Sequence, residues 1–163
     1  MVFCYFYDMP IGRMFISEDG SGISEVKLIA REDEEYYRKN YTVEETNLIK
    51  KAASQLKEYF EGKRKNFNIE INPEGTLFQK RVWNALMQIP YGETRSYKEI
   101  AEAIGNKNAC RAVGMANHNN PIMLIIPCHR VIGSDGKLVG YRGGIEIKEK
   151  LLDLEKTYVG KEE

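Results

Sequence analysis

What the chain has least of sets the first limits. Its 163 residues include three cysteines, Cys4, Cys110 and Cys128, and two histidines, His118 and His129. An odd, widely separated set of thiols is not a disulfide framework, and without a CxxC pair or clustered histidines no zinc site is expected. Free thiols in a reducing compartment fit this usage. No apolar run approaches the roughly 18 residues of a membrane span. The opening MVFCYFYDMPIG has neither a basic n-region nor a long apolar core, so no signal peptide is read there and a cytoplasmic protein is expected. No internal repeat or low-complexity tract is visible. Net charge is also missing, because 24 basic side chains balance 24 acidic ones. Global charge therefore neither favours nor excludes a polyanionic partner.

What is present is unevenly distributed. Between Arg95 and Arg142 seven basic side chains face three acidic ones, a local excess of four, while much of the acid sits in EDEEYYRKNYTVEE. The first thirty residues read as short strands: VFCYFY, GRMFIS and the alternating ISEVKLIA, separated by turn residues. After a charged connector, Leu48, Ile49, Ala52, Ala53, Leu56, Tyr59 and Phe60 recur at helical spacing within 43–60, and Gly62 closes that helix. NFNIEIN reads as one more short strand. Pro73 and Gly75 then mark a boundary between domains at 1–72 and 73–163.

The second half is mainly helical. TLFQKRVWNALMQI puts Phe78, Val82, Trp83, Leu86 and Ile89 on one face, with Thr76 as N-cap. SYKEIAEAIG opens with Ser96 and Glu99 at capping-box spacing and stops at Gly105. NKNACRAVGMANHN is a further helix reached through a short turn. Such a pair is a helix-turn-helix or an ordinary αα-hairpin, and the local basic excess tips the balance modestly toward DNA. IEIKEKLLDLEKTYV forms a last helix with Ile147, Leu151, Leu154 and Tyr158 inward.

The stretch LIIPCHRVIGSDG sets Cys128 beside His129 after an apolar run that reads as a buried strand, Pro127 biasing Ile126 to an extended form. A nucleophilic thiol needs a lowered pKa from a cation, an imidazole or a helix N-terminus. In an extended chain, however, neighbouring side chains point to opposite faces. His129 reaches Cys128 there only if the backbone turns or a water bridges them. From chemistry alone a buried, inert cysteine is the stronger reading. Cys4 in a strand and Cys110 in a helix read as structural, and His118 as a solvated helix-end residue.

IPCHRVIGSDG nevertheless resembles the active-site signature of the O6-alkylguanine-DNA alkyltransferases, the methylated-DNA–protein-cysteine methyltransferases. GTLFQKRVWNALMQIPYGETRSYKEIAEAIG, RAVGMANHNNP and GYRGGIEIKEKLLDLE resemble that family's other blocks, in the same order, over residues 75–156. The resemblance implies an α+β architecture: a small, architectural N-terminal ribonuclease H-like sheet-plus-helix domain, then a mainly helical domain with a helix-turn-helix. It implies a monomer that flips O6-alkylguanine, and O4-alkylthymine, out of duplex DNA by the minor groove. The alkyl group then passes irreversibly to a cysteine, without a cofactor; some members hold a zinc ion in the N-terminal domain, but Cys4 is the only cysteine or histidine there and no metal is expected. Cys128 matches the acceptor, His129 the water-linked base and Glu155 the acid that orients it. Asn120 matches the brace of the active-site turn, and Tyr97 the residue aiding extrusion and protonating the leaving base. Arg111 matches the finger that fills the gap in the duplex. Ser96, Tyr97, Arg95, Ala112, Met115 and Arg130 complete the DNA-facing set. Tyr141, Arg142, Val131 and Pro127 match the substrate pocket. The chain departs where some members carry a serine after the pocket tyrosine, since it has Arg142. Competing readings are a non-catalytic damage sensor, whose members lack the cysteine of PCHR, and a cysteine hydrolase. Alkyl groups accepted per molecule separate the three as one, none or many.

Overall fold

Alternating residues build the first sheet. β1 (Phe3–Met9), β2 (Gly12–Glu18) and β3 (Ile23–Leu28) form an antiparallel meander, and β4 (Thr42–Val43) joins β1 in parallel, giving the order β3-β2-β1-β4. The computed structural model describes residues 1–141 and 143–161. Phe6 and Phe15 pair across β1 and β2 with ring centroids 5.8 Å apart. The central strand β2 is buried on both faces from Met14 to Glu18. α2 (Asn47–Phe60) packs on β1, β2 and β3, burying Ile49, Ala52, Ala53, Leu56 and Tyr59. The helix begins at Asn47, and Thr46 caps it by accepting the Ile49 amide at 3.2 Å. Such a cap is worth about 1 kcal/mol.

Two segments of the first half depart from the sequence expectation. The charged connector contains α1 (Glu34–Asn40), held by Glu34–Arg38 and Glu35–Lys39 pairs one turn apart, with the Tyr37 ring tilted against that of Phe15, centroids 4.6 Å apart. NFNIEIN is not a full strand. It makes a single bridge from Ile71 to Ile23, and the approach needs Gly22, where a Cβ would lie 2.9 Å from the Ile71 carbonyl carbon.

The chain divides into two compact units after Glu74. In the second, α3 (Leu77–Leu86), α4 (Tyr97–Ala103) and α5 (Cys110–His118) pack on one another. Thr76 caps α3 as expected, with Gln79 completing a capping box, and α4 starts at the expected Ser96/Glu99 box. α4 stops at Gly105 (φ 80°), whose amide and that of Asn106 bond back to Glu102 and Ala101. The buried Trp83 indole donates to the Ala116 carbonyl at 2.8 Å and fixes α3 to α5. A two-residue parallel ladder pairs β5 (Arg95–Ser96) with β6 (Val131–Ile132), and α6 (Ile145–Tyr158) closes the unit. That ladder brings the start of α4 to the segment after Cys128. Among the described residues no helix is long and apolar enough to cross a membrane. The molecule is α+β, a sheet-and-helix unit followed by a mainly helical one.

Candidate active site

The apolar run before Cys128 is buried but is not a strand. Between Asn120 and Pro127 the chain folds into consecutive turns, with the Ile126 amide bonded to the Ile122 carbonyl at 3.0 Å. Asn120, itself buried, spans these turns. Its Nδ2 donates to the Ile126 carbonyl at 2.8 Å and its Oδ1 accepts the Ile122 amide at 3.0 Å. Leu124 sits at φ 72°, a left-handed conformation costing a branched residue roughly 1–2 kcal/mol, so the packing around it must hold it there.

Cys128, His129 and Arg130 then form one 3-10 turn, closed by the Arg130 amide on the Pro127 carbonyl at 3.0 Å. At three residues per turn, adjacent side chains diverge by about 120° rather than 180°. This removes the extended-chain objection to Cys128 and His129 sharing a site. The turn packs against α6 and α3.

The second and third residues of the turn both reach Glu155 on α6. His129 is fully buried, and its Nε2 lies 2.6 Å from Glu155 Oε2. Arg130 forks onto the same carboxylate, Nε to Oε1 at 2.8 Å and Nη2 to Oε2 at 3.1 Å, while Nη1 donates to the Ile89 carbonyl at 2.8 Å. The Gly92 amide adds a bond to Oε1 at 3.0 Å. Burial alone would raise the Glu155 pKa, but His129 and Arg130 hold it well below the usual carboxylate range. An ionised Glu155 accepts only, so Nε2 carries the imidazole proton. Nδ1, buried and without a hydrogen-bond partner among the described residues, keeps its lone pair. Burial also lowers the His129 pKa, against the opposing pull of Glu155, leaving a neutral base.

Around Cys128, which is 5% exposed, stand Asn120, Tyr141, Tyr97 and Lys148. Burial pushes the thiol up, and Asn120, Lys148 and Tyr141 pull it back. The buried Tyr141 hydroxyl lies near the thiol without a hydrogen bond of normal geometry. Tyr97, half-buried at the start of α4, donates to the Val139 carbonyl at 3.1 Å. Burial and then the Cys128 charge raise its pKa, so its phenol stays protonated. Lys148 is fully buried and donates to that same carbonyl at 3.1 Å.

The structure thus gathers Cys128, His129, Glu155, Asn120, Tyr97, Tyr141, Val131 and Pro127 at one site. Arg111, Ala112 and Met115 lie elsewhere, on the exposed face of α5 opposite buried Val113, Ala116 and Asn117. Arg95 and Ser96 are partly exposed, with Arg95 paired to Glu93 at 3.0 Å and the Ser96 hydroxyl engaged by its capping box. Arg130 is a correction. Its expected place was the DNA-facing set, but it is 6% exposed and its guanidinium is committed to Glu155 and Ile89. Arg142 lies outside the described residues. Lys148 went unread, although Lys148, Leu151 and Glu155 recur at helical spacing and a lysine on an apolar stripe was the available signal. Among the described residues no group of three His, Cys, Asp or Glu side chains could hold a metal ion.

Comparison with known proteins places the chain in a family. Residues 2–73 match the family described as 6-O-methylguanine DNA methyltransferase, ribonuclease-like domain, and residues 77–157 match its DNA binding domain. The chain is 49% identical over 149 residues to the methylated-DNA–protein-cysteine methyltransferase of Methanosarcina acetivorans, covering 91% of this chain and 95% of that protein. The Mycobacterium leprae protein of the same name is 47% identical over 160 residues, 98% of this chain and 95% of that one. The crystal structure of the Mycobacterium tuberculosis O6-methylguanine methyltransferase superposes with a TM-score of 0.88 at 46% identity, over 97% of this chain and 94% of that one. The M. tuberculosis protein in complex with DNA gives 0.87 at 46% identity, over 96% and 94%. Matched in both units and close to half identical to these relatives, the chain belongs to the 6-O-methylguanine DNA methyltransferase family.

Proposed function

We propose that this protein repairs alkylated DNA by binding the duplex through its helical unit, flipping O6-alkylguanine into the pocket around Cys128, and taking the alkyl group onto that sulfur once. The observation that carries the reading is the aimed imidazole. Glu155 fixes the His129 tautomer so that Nδ1 presents a lone pair, and in this reading that lone pair takes the thiol proton through a water. The thiolate attacks the alkyl carbon, an S–C bond forms as the C–O6 bond breaks, and the electron pair leaves on guanine. Tyr97 supplies the proton that neutralises the leaving base, exchanging its bond to Val139 for one to the substrate. A saturated carbon develops no oxyanion, so no oxyanion hole is needed. The thioether has no hydrolytic exit, which limits each molecule to one turnover.

A base inside a duplex is out of reach of a buried thiol, so flipping is required. Arg111, Ala112 and Met115 on the exposed face of α5 suit insertion into the minor groove, which carries little sequence information. Intact mass of the protein after incubation with O6-methylguanine duplex tests the reading. One methyl group on the Cys128 peptide is expected. An unmodified protein bound to the DNA would mean a sensor, and repeated turnover a hydrolase.

The role of Arg111 gives a separate expectation. Arg111→Ala should slow repair of duplex substrate by about tenfold or more, a stacking or phosphate contact being worth roughly 1–3 kcal/mol. Reaction with a single-stranded substrate, which needs no extrusion, should change far less. Equal losses on both substrates would remove the flipping role.

A further inference from the structure

Two buried asparagines hold the main chain around Cys128, and they are not used alike. Asn120 engages both ends of its amide, Nδ2 on the Ile126 carbonyl and Oδ1 on the Ile122 amide. Asn117, 2% exposed on the buried face of α5, engages one end. Its Nδ2 donates to the Cys128 carbonyl at 3.3 Å, while its buried Oδ1 has no hydrogen-bond partner among the described residues. A buried acceptor without a donor is destabilising, and a leucine of similar shape would carry no such cost. Asn117 also stands at the pocket. Gly114 lies one turn earlier on the same helix face, and a Cβ there would be 3.8 Å from the Tyr97 ring. The amide is thus bonded to the main chain of the alkyl acceptor and shares a face of α5 with the packing site of the proton donor. His129 Nδ1 is unpartnered at the same site, and the thiol proton accounts for it. An amide oxygen is too weak a base for that role and accepts only from a group that keeps its proton.

We propose that Asn117 Oδ1 accepts a hydrogen bond from the 2-amino group of the flipped O6-alkylguanine, which makes Asn117 a specificity-determining residue. This rests on the alkyl-acceptor reading above. The substrate's chemistry selects the donor. Alkylation at O6 leaves guanine without its N1 proton, so the 2-amino group is the one N–H donor left on the edge by which a flipped base is read. O4-Alkylthymine has lost its N3 proton and offers no N–H donor at all. A buried acceptor that the protein does not satisfy therefore favours the guanine adduct and disfavours the thymine one. Nδ2 stays on the Cys128 carbonyl throughout, so the base gains its partner while the acceptor turn keeps its own.

The test compares single-turnover transfer from two single-stranded oligonucleotides, one carrying O6-methylguanine and one carrying O6-methylhypoxanthine, which differs only by lacking the 2-amino group. Single strands remove base pairing from the comparison. The full-length wild type is expected to react about tenfold faster with the guanine substrate. Equal rates, or a faster analogue, overturn the proposal without any variant, so a misfolded mutant does not end the test. Asn117→Leu, which removes the acceptor at similar shape, should bring the ratio of the two rates close to one. Asn117→Asp keeps an acceptor oxygen but no amide donor, so it should slow both substrates and retain the preference for guanine. The ratio separates recognition from support of the Cys128 turn, because loss of support slows both substrates by one factor. An Asn117→Leu protein that keeps the wild-type ratio, or an Asn117→Asp protein that loses it, overturns the role of Asn117. A wild type that takes methyl from neither oligonucleotide overturns the alkyl-acceptor reading instead.

Discussion

Replacing Cys128 with Ser should leave the fold and duplex binding in place and end alkyl transfer, with the rate falling by on the order of 10⁴-fold or more, as when a nucleophile is removed from a catalytic unit. The change removes a little volume from a site that is 5% exposed and touches no member of the His129–Glu155–Arg130 set. The chemistry decides the outcome. A thiol gives up its proton near pH 8–9 and a hydroxyl only far above that, so the pull of Asn120, Lys148 and Tyr141 that helps Cys128 ionise cannot do the same for serine. Hydrolases with a serine nucleophile compensate by stabilising an oxyanion, and displacement at a saturated carbon offers none. Transfer of label from alkylated duplex to protein and band shift with the same duplex measure the two halves separately. Label retained by Cys128→Ser would move the acceptor to Cys4 or Cys110. Loss of binding together with labelling would mean that Cys128 holds the fold rather than the chemistry.

The parts of the fold that rest on local chemistry were legible in the sequence. Thr76 as an N-cap and Ser96 with Glu99 as a capping box follow from residue type and spacing alone, and both are realised. The β1–β2–β3 meander follows from alternation and turn residues. The segments misread are those in which a tertiary contact overrides the local pattern. EEYYRKN is too polar to be read as a helix, yet α1 forms because Tyr37 finds Phe15 and two charge pairs line its open face. MLIIP has the composition of a strand. It coils into turns because Asn120 satisfies two backbone groups within it and Leu124 is held left-handed.

The site divides in the same way. Cys128, His129 and Glu155 were reachable through motif resemblance, because their order and spacing survive in the sequence. What the sequence hid is the sharing of one carboxylate. Glu155 is 26 residues from His129 and 25 from Arg130, and nothing local to PCHR says that its arginine turns inward. A charge next to a catalytic dipeptide in a basic stretch reads most simply as a phosphate contact. Its commitment to Glu155 depends on the 3-10 turn, and that turn depends on the folding of MLIIP before it.

That shared carboxylate makes Glu155→Gln the most damaging single change at constant shape. It should cost about 3–5 kcal/mol of stability, the usual result of leaving one member of a buried ion pair without its partner, here the guanidinium of Arg130. It should also slow alkyl transfer by roughly 10³–10⁴-fold in the protein that remains folded, as amide replacement does in an acid–histidine–nucleophile chain. An amide can donate to Nε2, which moves the ring proton to Nδ1 and turns the atom meant to receive the thiol proton into a donor. Arg130→Met separates the two effects. It removes a charge from the site but keeps Glu155 as acceptor of Nε2–H, so the tautomer survives and near-neutral transfer should fall by no more than about tenfold. Because Arg130 helps hold the His129 pKa down, its loss should raise that pKa and move the acid limb of the rate profile upward. The stability profiles differ as well. The folded-state pKa of Glu155 lies below its unfolded value, so its contribution is present above about pH 4.5 and is lost as pH falls toward the folded value. That part of the acid sensitivity should vanish in Glu155→Gln. Denaturant unfolding across this range, with single-turnover transfer at neutral pH, reads both effects. A Glu155→Gln protein as stable as wild type, or one that transfers within tenfold of it, would refute the assignment of Glu155 as the anchor of both His129 and Arg130.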